Sequence, residues 1–430
     1  MIQPGIFHDS PPDKLHNLYL QRYAWPGPLL ADEPNNNTGI IVVIPCFNEP
    51  HILASLNSLF ECETPNCKVE IIVVVNHAEN EADHIKIFNQ DTCDKIQEWI
   101  INHKKKYFSC YLLKVFDLPR KHAGVGLARK IGMDEAVRRF ELINNKNGII
   151  ICFDADCYCS PNYFQEVYQC YQNKPEINTA LVYFEHPLEG NFNSSLYESI
   201  INYELHLRYF KNALQFADFP YAFHTIGSCI TVTSAAYQKQ GGMNKRKAGE
   251  DFYFLQKIFP LGNICTINST TVFPSPRPSN RVPFGTGKAI NDMLKTRETR
   301  YVTYNPQIFI DLRIFITNVS NFYQEKYIDS IIKELPISIQ EYLNTIHFID
   351  LLAKINKNCS SENQFFKAFF NWFNGFMVLK YIHFARDNYY IGTEILEATN
   401  WILMELTSIK LTLTNKKKAL LHLRDLDKSN

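Results

Sequence analysis

Residues 40–77 of this 430-residue chain read IIVVIPCFNEPHILASLNSLFECETPNCKVEIIVVVNH. The aliphatic run at residues 40–44 is closed by Pro45, which is typical of a central parallel strand covered on both faces. Residues 52–60 carry apolar side chains at helical spacing, and residues 69–75 repeat the buried-strand pattern. The stretch therefore predicts a right-handed strand, helix and strand unit whose ligand crevice lies at the carboxyl ends of the strands.

The same alternation of strands and helices continues to about residue 153. Its members are a helix at residues 91–104, a strand at 111–116, a helix at 125–140 and a strand at 148–153. From about residue 320 the apolar residues follow helical spacing, and no strand candidate is evident. We predict an α/β fold, with a Rossmann-like mixed and mostly parallel sheet flanked by helices and a C-terminal helical appendage. The corresponding ranges are an irregular leader at 1–37, a main α/β domain at 38–315 and a helical region at 316–430.

The charge balance argues against nucleic-acid binding. Lysine plus arginine and aspartate plus glutamate both number 44, so no net field attracts a polyanion. The apolar stretch at residues 365–384 is interrupted by lysine, asparagine and histidine, so it predicts a buried helix and no transmembrane segment. The N-terminus lacks the basic start and apolar run of a secretory signal. We therefore expect a soluble cytoplasmic protein, a location compatible with peripheral association at the inner face of a membrane.

The twelve cysteines fit a reducing compartment, because several lie inside apolar strands, where a free thiol behaves as a small apolar side chain. Cys152, Cys157 and Cys159 lie close together in the chain but lack the paired spacing of a structural zinc site. Cys62 and Cys67 flank a turn and would bridge only in an oxidising compartment. We favour free thiols.

Two carboxylates, Asp154 and Asp156, follow the predicted strand in the segment GIIICFDAD, residues 148–156. Their side chains start on opposite faces of the strand, but a turn there can aim both into one crevice. Hard cations such as Mg²⁺ and Mn²⁺ prefer carboxylate oxygen, and a cation held here would neutralise a diphosphate leaving group. The alternative is a strand end with two solvated carboxylates, because a D-x-D pattern alone is weak.

A second acidic pair, Glu250 and Asp251, precedes a helical run at residues 252–258. One of these carboxylates is a candidate base for the proton of an attacking hydroxyl. The alternative is that both acids only stabilise the positive end of the helix.

Basic residues in two glycine-containing segments are candidates for binding a diphosphate. The segment KHAGVGLAR, residues 121–129, enters a helix and ends in Arg129, which would reach phosphate. The segment PSPRPSNRVPFGTGK, residues 274–288, carries Arg277 and Arg281 on a predicted loop that would close over the diphosphate. Close helix packing by the small residues is an equally good interpretation of the first segment. A solvated connector is the alternative for the second.

Taken together, four segments resemble the family 2 glycosyltransferases of the GT-A fold. They are VIPCFNE after the first strand, the helix that carries Arg129, FDAD and GED, and the resemblance covers residues 38–275. It implies that residues 38–315 are the catalytic domain of an inverting, metal-dependent glycosyltransferase. Such an enzyme moves a sugar from a nucleotide-diphosphate donor to a hydroxyl acceptor, here a carbohydrate, a lipid or a small molecule.

The resemblance also implies roles for individual residues. Asp154 and Asp156 would hold the divalent metal, Mn²⁺ or Mg²⁺, and Asp251 or Glu250 would be the base. The donor would be bound by residues of the first loop, the second strand's end, the arginine helix, the metal motif and the proline-rich loop: Pro45, Phe47, Asn48, Glu49, Asn76, Arg129, Asp154, Arg277 and Arg281.

Three features depart from the family pattern. Asn76-His77 stands where the family usually has an aspartate pair that contacts the nucleobase, so the nucleotide is left open. Lys130 stands where the family usually has asparagine. No histidine lies between residues 225 and 346, where some relatives supply a further metal ligand. His224 or His186 would be the substitute, and a structural role is the alternative for each.

Two other functions fit the same class of fold. A sugar nucleotidyltransferase would normally carry a glycine-rich basic loop after the first strand, whereas CFNEP is acidic and lacks glycine. A non-catalytic sugar-nucleotide-binding scaffold would use the helical region as a partner surface. The presence of both acidic motifs argues against it.

Overall fold

The computed structural model describes residues 17–279, 281, 285–296, 300–325, 327–407 and 412–429. These residues form two compact units. The first contains the described residues up to Pro187, residues 225–275, Arg281 and Gly285. The second contains residues 188–224, 276–279 and the described residues from 286 onward. The two units therefore do not follow the predicted ranges 38–315 and 316–430, and the extent of the catalytic domain stays a prediction.

The first unit is built on one eight-stranded sheet with the strand order β3-β2-β1-β4-β7-β6-β8-β5. The strands are β1 (Thr38–Cys46), β2 (Lys68–Ala78), β3 (Phe108–Leu118), β4 (Ile149–Cys152), β5 (Tyr158–Cys159), β6 (Thr179–Phe184), β7 (Ile230–Thr233) and β8 (Ile264–Phe273). β1 pairs in parallel with β2 and β4, β2 with β3, and β6 with β8. β7 is antiparallel to β4 and β6, and β5 is antiparallel to β8. This confirms the predicted mixed, mostly parallel sheet.

The helices of both units are numbered in chain order. They are α1 (Leu18–Arg22), α2 (Ile52–Phe60), α3 (Asp83–Asn102), α4 (Val125–Leu142), α5 (Tyr163–Asn173), α6 (Ser194–Phe216), α7 (Ser234–Lys239), α8 (Glu250–Ile258), α9 (Thr286–Thr296), α10 (Pro306–Thr317), α11 (Ile328–Glu334), α12 (Ile337–Thr345), α13 (Phe348–Lys357), α14 (Glu362–Trp372), α15 (Gly375–Asn388), α16 (Ile395–Thr407) and α17 (Lys416–Ser429). α6 and α9 to α17 belong to the second unit.

Helix α4 lies directly on the central strand β1, and a glycine makes this approach possible. A Cβ atom at Gly132 would lie 2.4 Å from Cγ1 of Val43, which is closer than real side chains come. Val43 itself is fully buried, as expected for a parallel strand covered on both faces. For Gly132, the packing interpretation of the small-residue face of α4 is confirmed.

The leader is more ordered than its composition suggests, because residues 17–37 cover a buried charged face of α4. Tyr19 on α1 donates its hydroxyl hydrogen to Asp134 Oδ1 at 2.6 Å, and the backbone N–H of Trp25 donates to Asp134 Oδ2 at 2.6 Å. Asp134 also accepts from the Tyr237 hydroxyl at 2.8 Å, and Lys130 Nζ lies 3.0 Å from Asp134 Oδ2. Residues 1–16 of the predicted irregular leader lie outside the described residues.

The second unit packs its helices around a core rich in phenylalanine. The Phe315 ring lies 5.1 Å from that of Phe373 and 6.0 Å from that of Phe348, measured between centroids. Its helical character confirms the predicted C-terminal appendage. The expectation of a strand-free region was wrong in one detail, since a short strand β10 (Thr393–Glu394) pairs with β9 (Val302–Thr303).

The predicted single helix at residues 365–384 is two helices, α14 and α15. The break occurs because the side chain of Asn374 accepts a hydrogen bond from the backbone N–H of Phe376 at 3.0 Å and so caps α15. None of the described helices combines the length and the apolar character that a membrane span requires.

Candidate functional site

The turn after β4 presents both acids of the D-x-D segment. The side chain of Asp154 is 38% exposed and that of Asp156 is 24% exposed. The carbonyl between them, that of Ala155, accepts a hydrogen bond at 2.8 Å from the hydroxyl of Ser55, a buried residue of α2. Helix α2 therefore fixes the turn that carries the acids, and no sequence pattern indicated this role for Ser55.

The second acidic pair lies at the start of α8. The chain enters this helix through Gly249, whose φ of 67° is one that favours glycine. Glu250 is buried, whereas Asp251 is only partly buried. One Asp251 oxygen, Oδ1, accepts the backbone N–H of Phe252 at 2.7 Å, as expected for an acid in the first turn of a helix.

Arg129 of α4 joins the two acidic segments. Its Nη1 donates to Oε1 of Glu250, and its Nη2 donates to Oδ1 of Asp154 at 2.5 Å. The guanidinium is almost fully buried, and its Nε makes no hydrogen bond within the described part of the chain. Burial by itself lowers the pKa of Arg129, but Asp154 and Glu250 outweigh that effect and raise it. Arg129 is therefore a fixed positive charge between acids that are distant in the chain.

Gly227 shows that Asp251 belongs to the same cluster. A Cβ atom at this glycine would lie 3.1 Å from Oδ2 of Asp251 and 3.0 Å from Nη1 of Arg129. The second oxygen of Asp251 and the guanidinium therefore both border the space above the bare Cα of Gly227. A side chain at this position would fill that space.

The two carboxyl groups of the second pair hold their protons more tightly than usual. Burial raises the pKa of Glu250 to about 7, although Arg129 acts in the opposite direction and Asp251 adds to the rise. Burial also raises the pKa of Asp251, again against Arg129. Groups with raised pKa values are suited to exchanging protons near neutral pH, and such groups cluster at functional sites.

The first loop meets Asp156 through Arg281. Nη1 of Arg281 donates to Oε2 of Glu49 at 2.9 Å and to the carbonyl of Phe47 at 3.1 Å. Nη2 of the same guanidinium lies 3.6 Å from Oδ2 of Asp156. Asn48, which lies between Phe47 and Glu49 in the chain, has a φ of 47°, a conformation that asparagine tolerates better than most residues. The structure thus brings three predicted site residues, Phe47, Glu49 and Asp156, together around Arg281.

Asn89, which the sequence did not single out, links the other predicted donor-binding positions. It is completely buried on α3. Its Oδ1 accepts the backbone N–H of Asn48 at 2.9 Å, and its Nδ2 donates to the carbonyl of Asn76 at 3.1 Å. Because Asn89 is polar, it breaks the apolar period, which explains why the predicted helix began at residue 91 whereas α3 begins at Asp83.

The remaining predicted positions are placed differently. Pro45 lies inside β1, which extends to Cys46. Arg277 belongs to the second unit, so its donor contact stays a prediction. The predicted loop at residues 274–288 is shorter than expected, because α9 begins at Thr286; residues 280 and 282–284 of this segment lie outside the described residues. Lys130 faces the leader, where its Nζ donates to the Tyr19 hydroxyl at 3.2 Å.

The acids of the D-x-D segment fit a particular kind of metal binding. Within the described residues, no group of three or more His, Cys, Asp or Glu side chains is placed to hold a metal ion. A magnesium-like ion commonly takes only one or two carboxylates from the protein and its other ligands from water and substrate phosphates. Asp154 and Asp156 match that donor set, whereas a complete protein cage would need more ligands.

The histidines considered as further ligands have other surroundings. His224 belongs to the second unit, where its Nε2 lies 3.2 Å from Oδ2 of Asp427 and burial lowers the pKa of the imidazole. His186 is buried in the first unit, with its ring 5.6 Å from that of Phe184. Both placements favour a structural role.

A comparison with protein families identifies the class of domain to which most of these residues belong. Residues 41–240 match the model of glycosyl transferase family 2. The chain carries a family 2 glycosyltransferase domain. The matched segment includes the first loop, Arg129 and the D-x-D acids of this glycosyltransferase, and it ends before Glu250. The predicted family and enzyme class are confirmed.

Solved structures similar to this glycosyltransferase include three complexes with nucleotide ligands. S. aureus TarS 1–349 in complex with UDP-GlcNAc is 13% identical with a TM-score of 0.38, over 91% of this chain and 88% of that chain. The complex of the same protein with UDP is 12% identical with a TM-score of 0.36, over 70% and 76% of the two chains. The mannosyltransferase PcManGT from Pyrobaculum calidifontis, in complex with GDP-Man and Mn²⁺, is 14% identical with a TM-score of 0.33, over 83% and 94%. No curated protein matches the chain.

Proposed function

We propose that this glycosyltransferase transfers a sugar, with inversion, from a nucleotide-diphosphate donor to the hydroxyl group of a carbohydrate, lipid or small-molecule acceptor. The observation that carries the proposal is the placement of Arg129, which contacts both Asp154 and Glu250. Through this contact the D-x-D acids and the second acidic pair belong to one site. A site of this kind combines a place for the leaving group with a place for the acceptor proton.

Asp251 is the base in this proposal. It is only partly buried, and its Oδ2 borders the space above Gly227. Glu250 is buried and already paired with Arg129, so it holds that guanidinium in place. Asp251 accepts the proton of the acceptor hydroxyl as the hydroxyl oxygen bonds to the anomeric carbon. The bond from that carbon to the donor phosphate breaks, and its electrons leave with the nucleoside diphosphate. A single displacement of this kind inverts the anomeric carbon.

Asp156 and Asp154 would hold a divalent cation, Mn²⁺ or Mg²⁺. When bound, such a cation stabilises negative charge on the departing diphosphate. Asp156 is the better placed of the two, because Nη2 of Arg281 lies 3.6 Å from its Oδ2, whereas Nη2 of Arg129 lies 2.5 Å from Oδ1 of Asp154.

The donor-binding role falls to the loop after β1 and to Arg281. Arg281 contacts Glu49, the carbonyl of Phe47 and Asp156. A diphosphate offers the same guanidinium bidentate acceptors, which arginine binds strongly. We therefore expect Arg281 to transfer some of these hydrogen bonds to the donor, with Phe47, Asn48 and Asn76 lining the nucleotide.

Two substitutions and one binding measurement test the proposal. Calorimetric titration of UDP, GDP, ADP and CDP, each with Mn²⁺, identifies the nucleotide. With the matching sugar nucleotide, Asp156→Ala should lose metal-dependent donor hydrolysis or transfer while keeping the fold. Asp251→Asn should retain donor binding and lose transfer.

Two results would contradict these assignments. Unchanged turnover of Asp156→Ala removes the metal assignment. Loss of donor binding in Asp251→Asn, with residual transfer, places the base elsewhere. If the native protein binds a sugar nucleotide and neither hydrolyses nor transfers it with any acceptor class, the scaffold function replaces the enzyme.

A further inference from the structure

Two pairs of cysteine sulfurs lie close together in the first unit. Sγ of Cys62 lies 3.5 Å from Sγ of Cys159, and Sγ of Cys170 lies 3.6 Å from Sγ of Cys265. All twelve cysteines of the chain are free thiols in the structure. A disulfide needs the two sulfurs at about 2.05 Å, so either pair requires a movement of about 1.5 Å shared by two side chains.

The two pairs differ in their exposure. Cys62 is buried, whereas Cys159 is partly exposed and also contacts Oγ of Ser58 at 3.6 Å. Cys170, in the last turn of α5, and Cys265, near the start of β8, are both partly exposed. Strand β5 pairs with β8 at Val272 and Phe273, which lie at the opposite end of the strand from Cys265, so β5 does not cover this cysteine. Access from solvent therefore favours the second pair.

The two pairs also differ in their protonation. The Cys170 thiol donates a hydrogen bond to Sγ of Cys265. This bond lowers the pKa of Cys265 to about 6, with Lys174 acting in the same direction, and it raises the pKa of Cys170. Burial, in contrast, raises the pKa of Cys159 well above its usual value. The thiolate is the form of cysteine that attacks oxidants, so the lowered pKa of the partly exposed Cys265 favours it as the thiol that reacts first.

We propose that Cys170 and Cys265 are a redox modification site, which closes to an intramolecular disulfide on contact with a hydroperoxide. The Cys265 thiolate attacks the O–O bond, becomes a sulfenic acid and releases hydroxide, or alkoxide from an organic hydroperoxide. The Cys170 thiol then attacks the Cys265 sulfur, and water leaves as the disulfide forms. The peroxide is reduced by the two electrons that the thiols lose, and a dithiol reductant reverses the reaction.

The disulfide would connect the end of α5 to the start of β8, across 95 positions of the chain. A cross-link that closes a loop of this length restricts the unfolded chain strongly. The opposite end of β8 pairs with Tyr158, two residues after Asp156. Because the disulfide restricts the unfolded chain, the oxidised protein should unfold at a higher temperature than the reduced protein.

The test uses the full chain, treated with hydrogen peroxide, alkylated and mapped by mass spectrometry without reduction. We expect a linked peptide pair containing Cys170 and Cys265 that disappears after dithiothreitol. In Cys170→Ser, the reaction should stop at a sulfenic acid on Cys265, which dimedone traps. Cys265→Ser should give neither product, whereas the matched control Cys62→Ser should leave the linked pair unchanged.

Three outcomes would overturn the proposal: a link between Cys62 and Cys159 that forms first, links only between separate chains, or a Cys265 that stays unmodified under peroxide. The unfolding temperature of the oxidised native protein gives an independent measurement, because the Cys170→Ser variant should lose the rise. The test needs no sugar donor, so its result is independent of the proposed transfer reaction.

Discussion

Arg129 is unusual because its single buried guanidinium pairs with two acidic side chains. Replacement by alanine would leave Glu250 buried without its counter-charge and Asp154 without its partner. Breaking a buried ion pair by removing one partner typically costs about 3–5 kcal/mol. We expect Arg129→Ala to lower the free energy of unfolding by that amount in urea denaturation.

Arg129→Lys is the informative companion variant. An ammonium group lacks the planar fork with which one guanidinium contacts two carboxylates, so the variant should keep part of the stability and lose most of the activity. If Arg129→Ala and Arg129→Lys were both as stable as the native protein, water would replace the guanidinium. The contacts of Arg129 with Asp154 and Glu250 would then have little importance for the fold.

The protonation of Asp251 gives a prediction on pH. A base must be ionised to accept a proton, and burial raises the pKa of Asp251 above the ordinary aspartate value of about 3.9. As pH falls through this raised pKa, kcat/KM should therefore decline, at a higher pH than an exposed aspartate would give. A pH–rate profile measures the midpoint of the decline.

The neighbouring Glu250, whose pKa is raised to about 7, provides the control. If Asp251 is the base, Glu250→Gln should keep the decline at low pH. A profile that becomes flat in Glu250→Gln would assign the titration to Glu250 and contradict the proposed base.

At the scale of elements, α3 and β2 are connected to the first loop by the buried amide of Asn89. Removing the amide in Asn89→Ala leaves the N–H of Asn48 and the carbonyl of Asn76 without their partner, at a cost of about 1–3 kcal/mol for each unpaired buried group. Because both positions are predicted to bind the donor, we expect weaker donor binding as well. Calorimetry with the nucleotide diphosphate measures the change.

Asn89→Asp separates the two contacts of this amide. It keeps an acceptor for Asn48 but places a completely buried carboxylate against the carbonyl of Asn76, so we expect a larger loss of stability than in Asn89→Ala. Unchanged nucleotide affinity in both variants would mean that the loop after β1 holds its conformation without α3.

The elements that sequence patterns predicted well are those with uninterrupted apolar periods. The runs at residues 40–44 and 69–75 lie inside β1 and β2, and α2 has the predicted bounds. Patterns failed where polar side chains organise the backbone. Asn89 obscured the first turns of α3, and Asn374 divides a stretch that reads as one helix. The spacing of apolar residues in the sequence does not reveal a buried amide, because the hydrogen-bond partners of the amide lie in other elements.

The same distinction applies to the site. The acids were identifiable because they follow a buried strand or precede a helix. The sequence did not reveal that Arg129 contacts Asp154 and Glu250, or that Ser55 holds the turn at Ala155. These contacts depend on how α2, α4 and α8 meet the sheet, which is a property of the folded unit.

At the scale of the molecule, the leader completes the first unit. Asp134→Ala would leave the hydroxyls of Tyr19 and Tyr237 and the ammonium of Lys130 without their common acceptor. We expect a loss of about 3–5 kcal/mol in the free energy of unfolding and faster proteolysis within residues 17–37. Tyr19→Phe removes the hydrogen bond to Asp134 and the one from Lys130, and should cost about 1–3 kcal/mol.

Equal and small effects of the two variants would contradict this account of the leader. Limited proteolysis followed by peptide mapping distinguishes detachment of residues 17–37 from general unfolding, because only general unfolding also exposes cleavage sites in β1.

The contact between Tyr19 and Asp134 also determines when residues 17–37 can dock during synthesis on the ribosome. The two residues are 115 positions apart, so at a rate of about 5–20 residues per second the aspartate is added roughly 6–23 seconds after the tyrosine. During that interval the nascent leader has no docking surface. It joins the growing domain only once α4 has emerged from the exit tunnel, so residues 17–37 dock only after a helix that is synthesised later.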